Sequence, residues 1–405
     1  MKLGRAFAAL VVASILIWSA CGEPGRCSGG IGRGVGLTGG SSSGPSSSGP
    51  GDNVCGVSNR GQGGSTNFSA LVYYSAENSG TIQAAGLSGS TLVPLALTTP
   101  TQSIDARMIF VNQKFLYATL GSGVEAFTLD RTTGALTNAL GNLGSFPAQG
   151  NILTADPQGR FLFVSGPGSS IDVFGINSAT GALTAAASSP FPTRLSQIEQ
   201  LTVDRSGNFL YASDGRTTTA ILSIDPSTGA LAQVPGSPLS LGVACIQASP
   251  GGEFLLGIST CFGLGTPNLH VFAINTTTGI PAEISGSPFP TAASLFNFVI
   301  SSTGNFVYTF GNVAGSSTVA PLEGFDIDAT TGALAAVPGS PLASLPTVVN
   351  CFFDQSGATM LCSDTLTVGN FFAFAVDPKT GTPSLEATLP LSTTNPIHLM
   401  YAITD

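Results

Sequence analysis

DPSTGALAQVPGSPL, residues 225–239, has a near copy 103 positions further on, DATTGALAAVPGSPL at 328–342. A catalytic motif is needed once, whereas a structural unit that must stack against copies of itself recurs. Shorter relatives extend the series: DRTTGAL (130–136), NSATGAL (177–183), NTTTGI (275–280) and DPKTGT (377–382). Their glycines, Gly134, Gly181, Gly229, Gly279, Gly332 and Gly381, stand 47 to 53 residues apart, and a weaker copy, LSGSTL (87–92), precedes the first. The count is seven.

An apolar run leads into each full copy: VEAFTL (124–129), IDVFGI (171–176), AILSI (220–224), LHVFAI (269–274), LEGFDI (322–327) and FFAFAV (371–376). Their length and β-branched and aromatic content predict strands. The Asp or Asn at the start of each turn and the Gly inside it predict a tight reversal into another strand. A second hairpin follows in each unit, as in NILTADPQGRFLFVSG (151–166) and QLTVDRSGNFLYASD (200–214). Four antiparallel strands in under about 55 residues make a propeller blade. The fold class is therefore all-β, a seven-bladed β-propeller over residues 68–405. The ends complement each other. LVYYSAEN (71–78) reads as a second strand with no first strand before it, and IHLMYAITD (397–405) reads as a first strand with nothing after it. One blade is expected to be closed by both termini, which removes free sheet edges.

The FLYA and FLFV strands, the VFxI strands and the TGAL turns resemble those of the YVTN-repeat, lactonase-type β-propellers. The resemblance covers the chain from about residue 68 onward. It implies that LTADPQG-like strands lie innermost, with FLFVS second, VFGI third and GALT outermost. It also implies a ligand site at the channel mouth, where lactonase-type propellers carry His and Arg at inner-strand starts. The corresponding positions here are Ile152, Gln200, Cys245, Asn297, Asn350 and Tyr401, none of them His. Near them stand Asp105, Arg107, Gln149, Asn151, Gln197, Glu199 and His398. In a catalytic reading Glu199 or His398 activates water and Arg107 holds an anion or developing oxyanion. Asp105, Gln149, Asn151 and Gln197 are the ligand-binding candidates.

The amino terminus resembles a bacterial lipoprotein leader. Lys2 and Arg5 precede an apolar run, AFAALVVASILIW (6–18), and SAC ends at Cys21. Trp18 stands where the lipobox usually has an aliphatic residue. Residues 1–20 are read as a signal peptide and Cys21 as the lipidated residue. Residues 21–67, with GGIGRGVGLTGGSSSGPSSSGPGD at 29–52, have almost nothing to bury and read as a flexible tether spanning roughly 35–40 Å. Export is expected, to the periplasm or cell surface, with membrane contact through the lipid only.

Six further cysteines fit an oxidising compartment. Cys351 and Cys362 sit nearly symmetrically about Ser356–Gly357 and are expected to form a cross-strand disulfide. Cys245 and Cys261 fall at one end of their blade and form the second expected pair. Cys27 and Cys55 can close a loop within the tether.

Charged residues are 9% of the chain, the net charge is −9, and the lysines are Lys2, Lys114 and Lys379. No basic patch exists to neutralise phosphates, so nucleic acid is not an expected partner. Two histidines, His270 and His398, lie far apart in the repeat, and no metal or other cofactor is expected. The DxxTG pieces recur in every blade and are read as turn chemistry, not calcium loops. Composition, tether and missing histidines point first to a monomeric binding or scaffold module at the cell envelope. Its partner would be a small molecule, glycan or protein at the channel mouth. A lactone hydrolase resembling 6-phosphogluconolactonase is the alternative, and a surface structural protein or adhesin the third reading.

Overall fold

The computed structural model describes the chain from Phe68 to Thr404, apart from residues 69, 77–80, 101–107, 112–113, 121–122, 140–145, 148–151, 260–267, 314–315, 365–368 and 391–396. The leader, Cys21, the tether and Cys27, Cys55 and Cys261 lie outside the described residues. No helix among the described residues is long and apolar enough to cross a membrane.

The strands form seven antiparallel sheets, one per repeat. Blade 1 runs from the rim inward as Thr91–Pro100, Thr81–Ser88, Ala70–Ala76 and then Ile397–Thr404. The first and last described strands pair directly, with Tyr73 opposite Tyr401 and Ala70 opposite Thr404. The expected closure by both termini is therefore present. Blade 2 starts at Met108–Val111, blade 3 at Leu153–Ala155, blade 4 at Gln200–Val203, blade 5 at Cys245–Ala248, blade 6 at Ala293–Ile300 and blade 7 at Asn350–Phe353. Each of these innermost strands touches the next, and Ile397–Thr404 touches both Met108–Val111 and Asn350–Phe353, so the ring is complete.

Burial explains why the second strands are apolar throughout. In Phe209–Ser213 of blade 4, Leu210 and Ala212 pack into the junction with blade 3, while Phe209 and Tyr211 pack into the junction with blade 5. Alternate side chains point to opposite faces, and a neighbouring blade covers each face. The core is seven such clusters, one at each junction around the ring.

The twin sequences are junction parts. Asp225 Oδ1 accepts the N–H groups of Ser227 and Thr228, both at 2.9 Å. Thr228 Oγ1 accepts Ala230 N–H at 3.2 Å. Asp328 and Thr331 repeat the pattern in blade 6. The carboxylates are thus turn caps, as expected. Gly229 has φ 72°, and a Cβ there would lie 2.6 Å from the ring of Phe161 in the preceding blade. Gly332 presses on Phe254 in the same way. The turn carbonyl is also used: Tyr211 donates its hydroxyl to Gly279 O at 2.9 Å, Tyr117 to Gly181 O at 2.8 Å, and Tyr73 to Gly134 O at 2.6 Å.

The PGSP segments that follow do more than connect. Blades 2 to 5 carry a fifth, two-residue strand paired with the third strand, as Leu239–Ser240 pairs with Thr218 and Thr219 in blade 4. The Ser-Pro bonds at Ser189, Ser237, Ser287 and Ser340 are cis. Each of these serines accepts a third-strand N–H, Ser237 Oγ from Ile221 at 2.8 Å.

Cys351 and Cys362 are opposite partners in blade 7, joined by a disulfide and buried. Cys245 is buried and also disulfide-bonded, to a partner outside the described residues.

Gly229→Ala is expected to cost about 2–4 kcal/mol, from left-handed strain plus overpacking. Gly339, at φ 81°, has open space where its Cβ would be; Gly339→Ala is expected to cost only about 1 kcal/mol. Denaturant unfolding of the two variants checks the difference, and equal losses would show that the Phe161 contact is slack.

Hydrogen bonds from Ser227 and Thr228 lower the Asp225 pKa to about 2. The folded chain therefore favours the charged carboxylate. Its contribution is complete above the unfolded value of 3.8 and is lost as pH falls towards 2. Asn177 and Asn275 cap equivalent turns. Asp225→Asn is expected to match the parent near pH 7 and to lose less stability between pH 4 and 2, as read by urea unfolding at both ends of that range.

Candidate functional site

The inner strands of blades 3 to 6 line an open cavity of about 310 Å³ on the channel wall. Blade 3 supplies Ile152 and Thr154, and blade 4 supplies Glu199, Gln200, Leu201 and Thr202. Blade 5 contributes Ile246 and Gln247, and blade 6 Asn297 and Phe298. Glu199 is the one ionisable group among these lining residues.

Local structure places Glu199. Its N–H donates to Ser213 O at 2.8 Å, the last rung before the inner strand proper. The loop from blade 4's second strand to its third lies against it. Gly215 in that loop has φ 72°, and a Cβ there would fall 2.5 Å from Glu199 Cγ. Asp214 Oδ1 holds the loop by accepting the N–H groups of Arg216, Thr217 and Thr218. Ser213 Oγ donates to Ala244 O at 2.5 Å, tying the same loop to blade 5.

Of the other sequence candidates, Gln197 is exposed and donates its amide to Asp214 O at 3.1 Å, behind the Glu199 loop. It does not line the cavity. His398 lies on the inner strand of blade 1, opposite Ser75. Asp105, Arg107, Gln149 and Asn151 lie outside the described residues. Ile152, Gln200 and Asn297, aligned with the inner-strand starts, do line the cavity, whereas Cys245 turns into the core and Ile246 and Gln247 take the wall instead. Sequence reading missed Thr154, Thr202 and Phe298. The available signal was the two-residue period along the inner strand, which puts Thr202 on the face of Gln200.

Two other polar groups are structural. His270 Nδ1 lies 2.8 Å from Glu283 Oε1 on the outer strands of blade 5, and its ring stacks on Phe272. Glu323 is buried in blade 6, where its carboxylate accepts Ala292 N–H from the connector out of blade 5. Burial pushes its pKa up, against the effect of those hydrogen bonds. Among the described residues no group of three metal-ligating side chains converges.

At the far end of the inner strands the hairpin turns knit together. Gln158 of blade 3 donates to the carbonyls of Arg205 and Ser206 in blade 4, and Arg205 Nη1 donates to Pro250 O of blade 5 at 2.6 Å. Gly304 of blade 6 sits against Gly251 N, and Ser302 donates to Asp354 O of blade 7 at 2.5 Å.

No family model and no curated relative matches the sequence. Solved structures do match the shape. A candidate 6-phosphogluconolactonase from Bacteroides fragilis superposes with a TM-score of 0.61 at 18% identity, covering 83% of this chain and 99% of that one. The periplasmic gluconolactonase of Pseudomonas aeruginosa gives 0.61 at 16% identity, with the same two coverages. A protein from Lactobacillus plantarum gives 0.58 at 18%, covering 80% and 97%. The fold is that of the lactonase-type seven-bladed β-propellers. At these identities the likeness is one of architecture.

Gly215→Ala is expected to push the Glu199 side chain from its place on the wall. A crystal structure of the variant reads this directly, and an unmoved Glu199 would show that the loop yields instead.

Proposed function

We propose that the protein is an exported lactone hydrolase acting at the mouth of the propeller channel, with Glu199 as general base. The observation that carries this reading is a single carboxylate on the wall of a cavity large enough for a six-membered ring. In the proposed step Glu199 takes a proton from water as the water oxygen adds to the lactone carbonyl carbon. The carbonyl oxygen becomes an oxyanion. Its collapse breaks the ring C–O bond, and the leaving alkoxide takes the proton back from Glu199. One lactone and one water give one hydroxy acid. The likeness of the fold to a periplasmic gluconolactonase supports this class.

A binding or scaffold module, the reading that composition favours, is supported by one specific observation. Among the described lining residues there is no His, Lys or Arg to assist catalysis. A lactone panel separates the two. Glu199→Gln is expected to lower kcat by about 100-fold or more if Glu199 is the base, and no turnover of any lactone by the parent protein sinks the hydrolase.

Export through the leader, with Cys21 as lipid anchor and residues 21–67 as tether, completes the proposal. The Cys351–Cys362 disulfide fits an oxidising compartment. Cys21→Ser is expected to move the protein from the membrane to the soluble fraction on cell fractionation.

A further inference from the structure

Three polar side chains of the cavity wall have already committed their acceptor atoms. Gln200 Oε1 accepts Ile246 N–H at 2.6 Å, and Thr202 Oγ1 accepts Ala248 N–H at 3.1 Å, so both bridge from blade 4 to blade 5. Asn297 Oδ1 accepts Phe298 N–H at 2.9 Å, beside the bulge in its strand. An amide nitrogen cannot accept from an N–H, so these bonds fix which way each amide is turned. The NH₂ groups of Gln200 and Asn297 have no partner among the described residues, and all three side chains line the cavity. The Thr202 hydroxyl hydrogen is left over in the same way. These three wall positions therefore offer donors. The carboxylate of Glu199, a pure acceptor, lines the same cavity.

A neutral donor array suits a neutral acceptor. It lacks the positive charge that would offset desolvation of a phosphate or carboxylate, and Glu199 repels either one. We infer that the cavity is a carbonyl site for uncharged ring esters. The amide NH₂ groups of Gln200 and Asn297, with the Thr202 hydroxyl, hold the carbonyl oxygen, and Glu199 turns away phosphorylated analogues and the ring-opened carboxylate. The inference rests on the hydrolase reading for its substrate class, while the carbonyl contact itself stands without turnover. In hydrolysis the same donors meet the oxyanion, where their worth rises as charge develops. The same charge repulsion makes release of the acid product favourable.

The test is isothermal titration calorimetry on the full chain with D-glucono-δ-lactam, an uncharged ring carbonyl that resists opening, and with gluconate. The lactam is expected to bind saturably and gluconate about tenfold more weakly or less. Gln200→Glu and Asn297→Asp keep an oxygen for the Ile246 and Phe298 N–H groups but replace the donor with an anionic acceptor. Each is expected to lower lactam affinity about tenfold, with the thermal midpoint unchanged. Gln200→Met loses the backbone bond as well and serves as the control for a merely structural role, because it should lower the midpoint. No lactam binding, gluconate binding as tightly as lactam, or full lactam affinity in both acidic variants overturns the inference. Lactam binding that is lost in those variants, together with no lactone turnover by the parent, upholds the carbonyl site and removes the hydrolase.

Discussion

Everything in this molecule depends on the face-to-face packing of neighbouring blades. No blade carries enough apolar surface on one side to be a domain. Each has two apolar faces, and each face is buried only because another blade covers it. That requirement explains the low charge of the chain, since a strand covered on both sides has little room for Lys or Glu. It also explains why the TGAL turn recurs so faithfully. The turn is the outer clamp of the junction, where a bare Gly Cα meets an aromatic ring and its carbonyl meets a tyrosine hydroxyl.

The clamp tolerates graded variation. Tyr73, Tyr117, Tyr211 and Tyr308 each reach a turn carbonyl in the next blade. In blades 3, 5 and 7 the equivalent residues are Phe163, Leu256 and Leu361, all buried and without a hydroxyl. Phe163 faces blade 4 and Leu256 faces blade 6, while the junction of blades 4 and 5 has both the Tyr211 bond and the bridges from Gln200 and Thr202. At that junction, side chains on the channel wall add to the cross-blade bonding that the tyrosine supplies.

Much of this was legible before any coordinates. The turn motif counts the blades, the apolar runs give the strand order, and the mismatch between LVYYSAEN and IHLMYAITD gives the closure. The PGSP segments were legible in principle, because Ser-Pro recurs at 189, 237, 287 and 340, but nothing in the dipeptide says that its Oγ caps a third-strand N–H. The site was harder to read. Inner strands show alternating faces, and a slip of one residue exchanges wall for core. Cys245 and Ile246 are one step apart, yet only Ile246 lines the cavity. The direction of an amide is beyond any sequence pattern. Gln200 reads as polar and two-sided, and becomes a donor only because Ile246 N–H claims its oxygen.

Of the described strands Ile397–Thr404 comes last along the chain, and its place is beside Ala70–Ala76, which comes first. Until Ile397–Thr404 has been made, the ring is an open arc with the edge of Ala70–Ala76 bare. A nascent chain stalled before this strand would present that edge to other chains, which makes the docking of Ile397–Thr404 the point at which the ring ceases to be adhesive to itself.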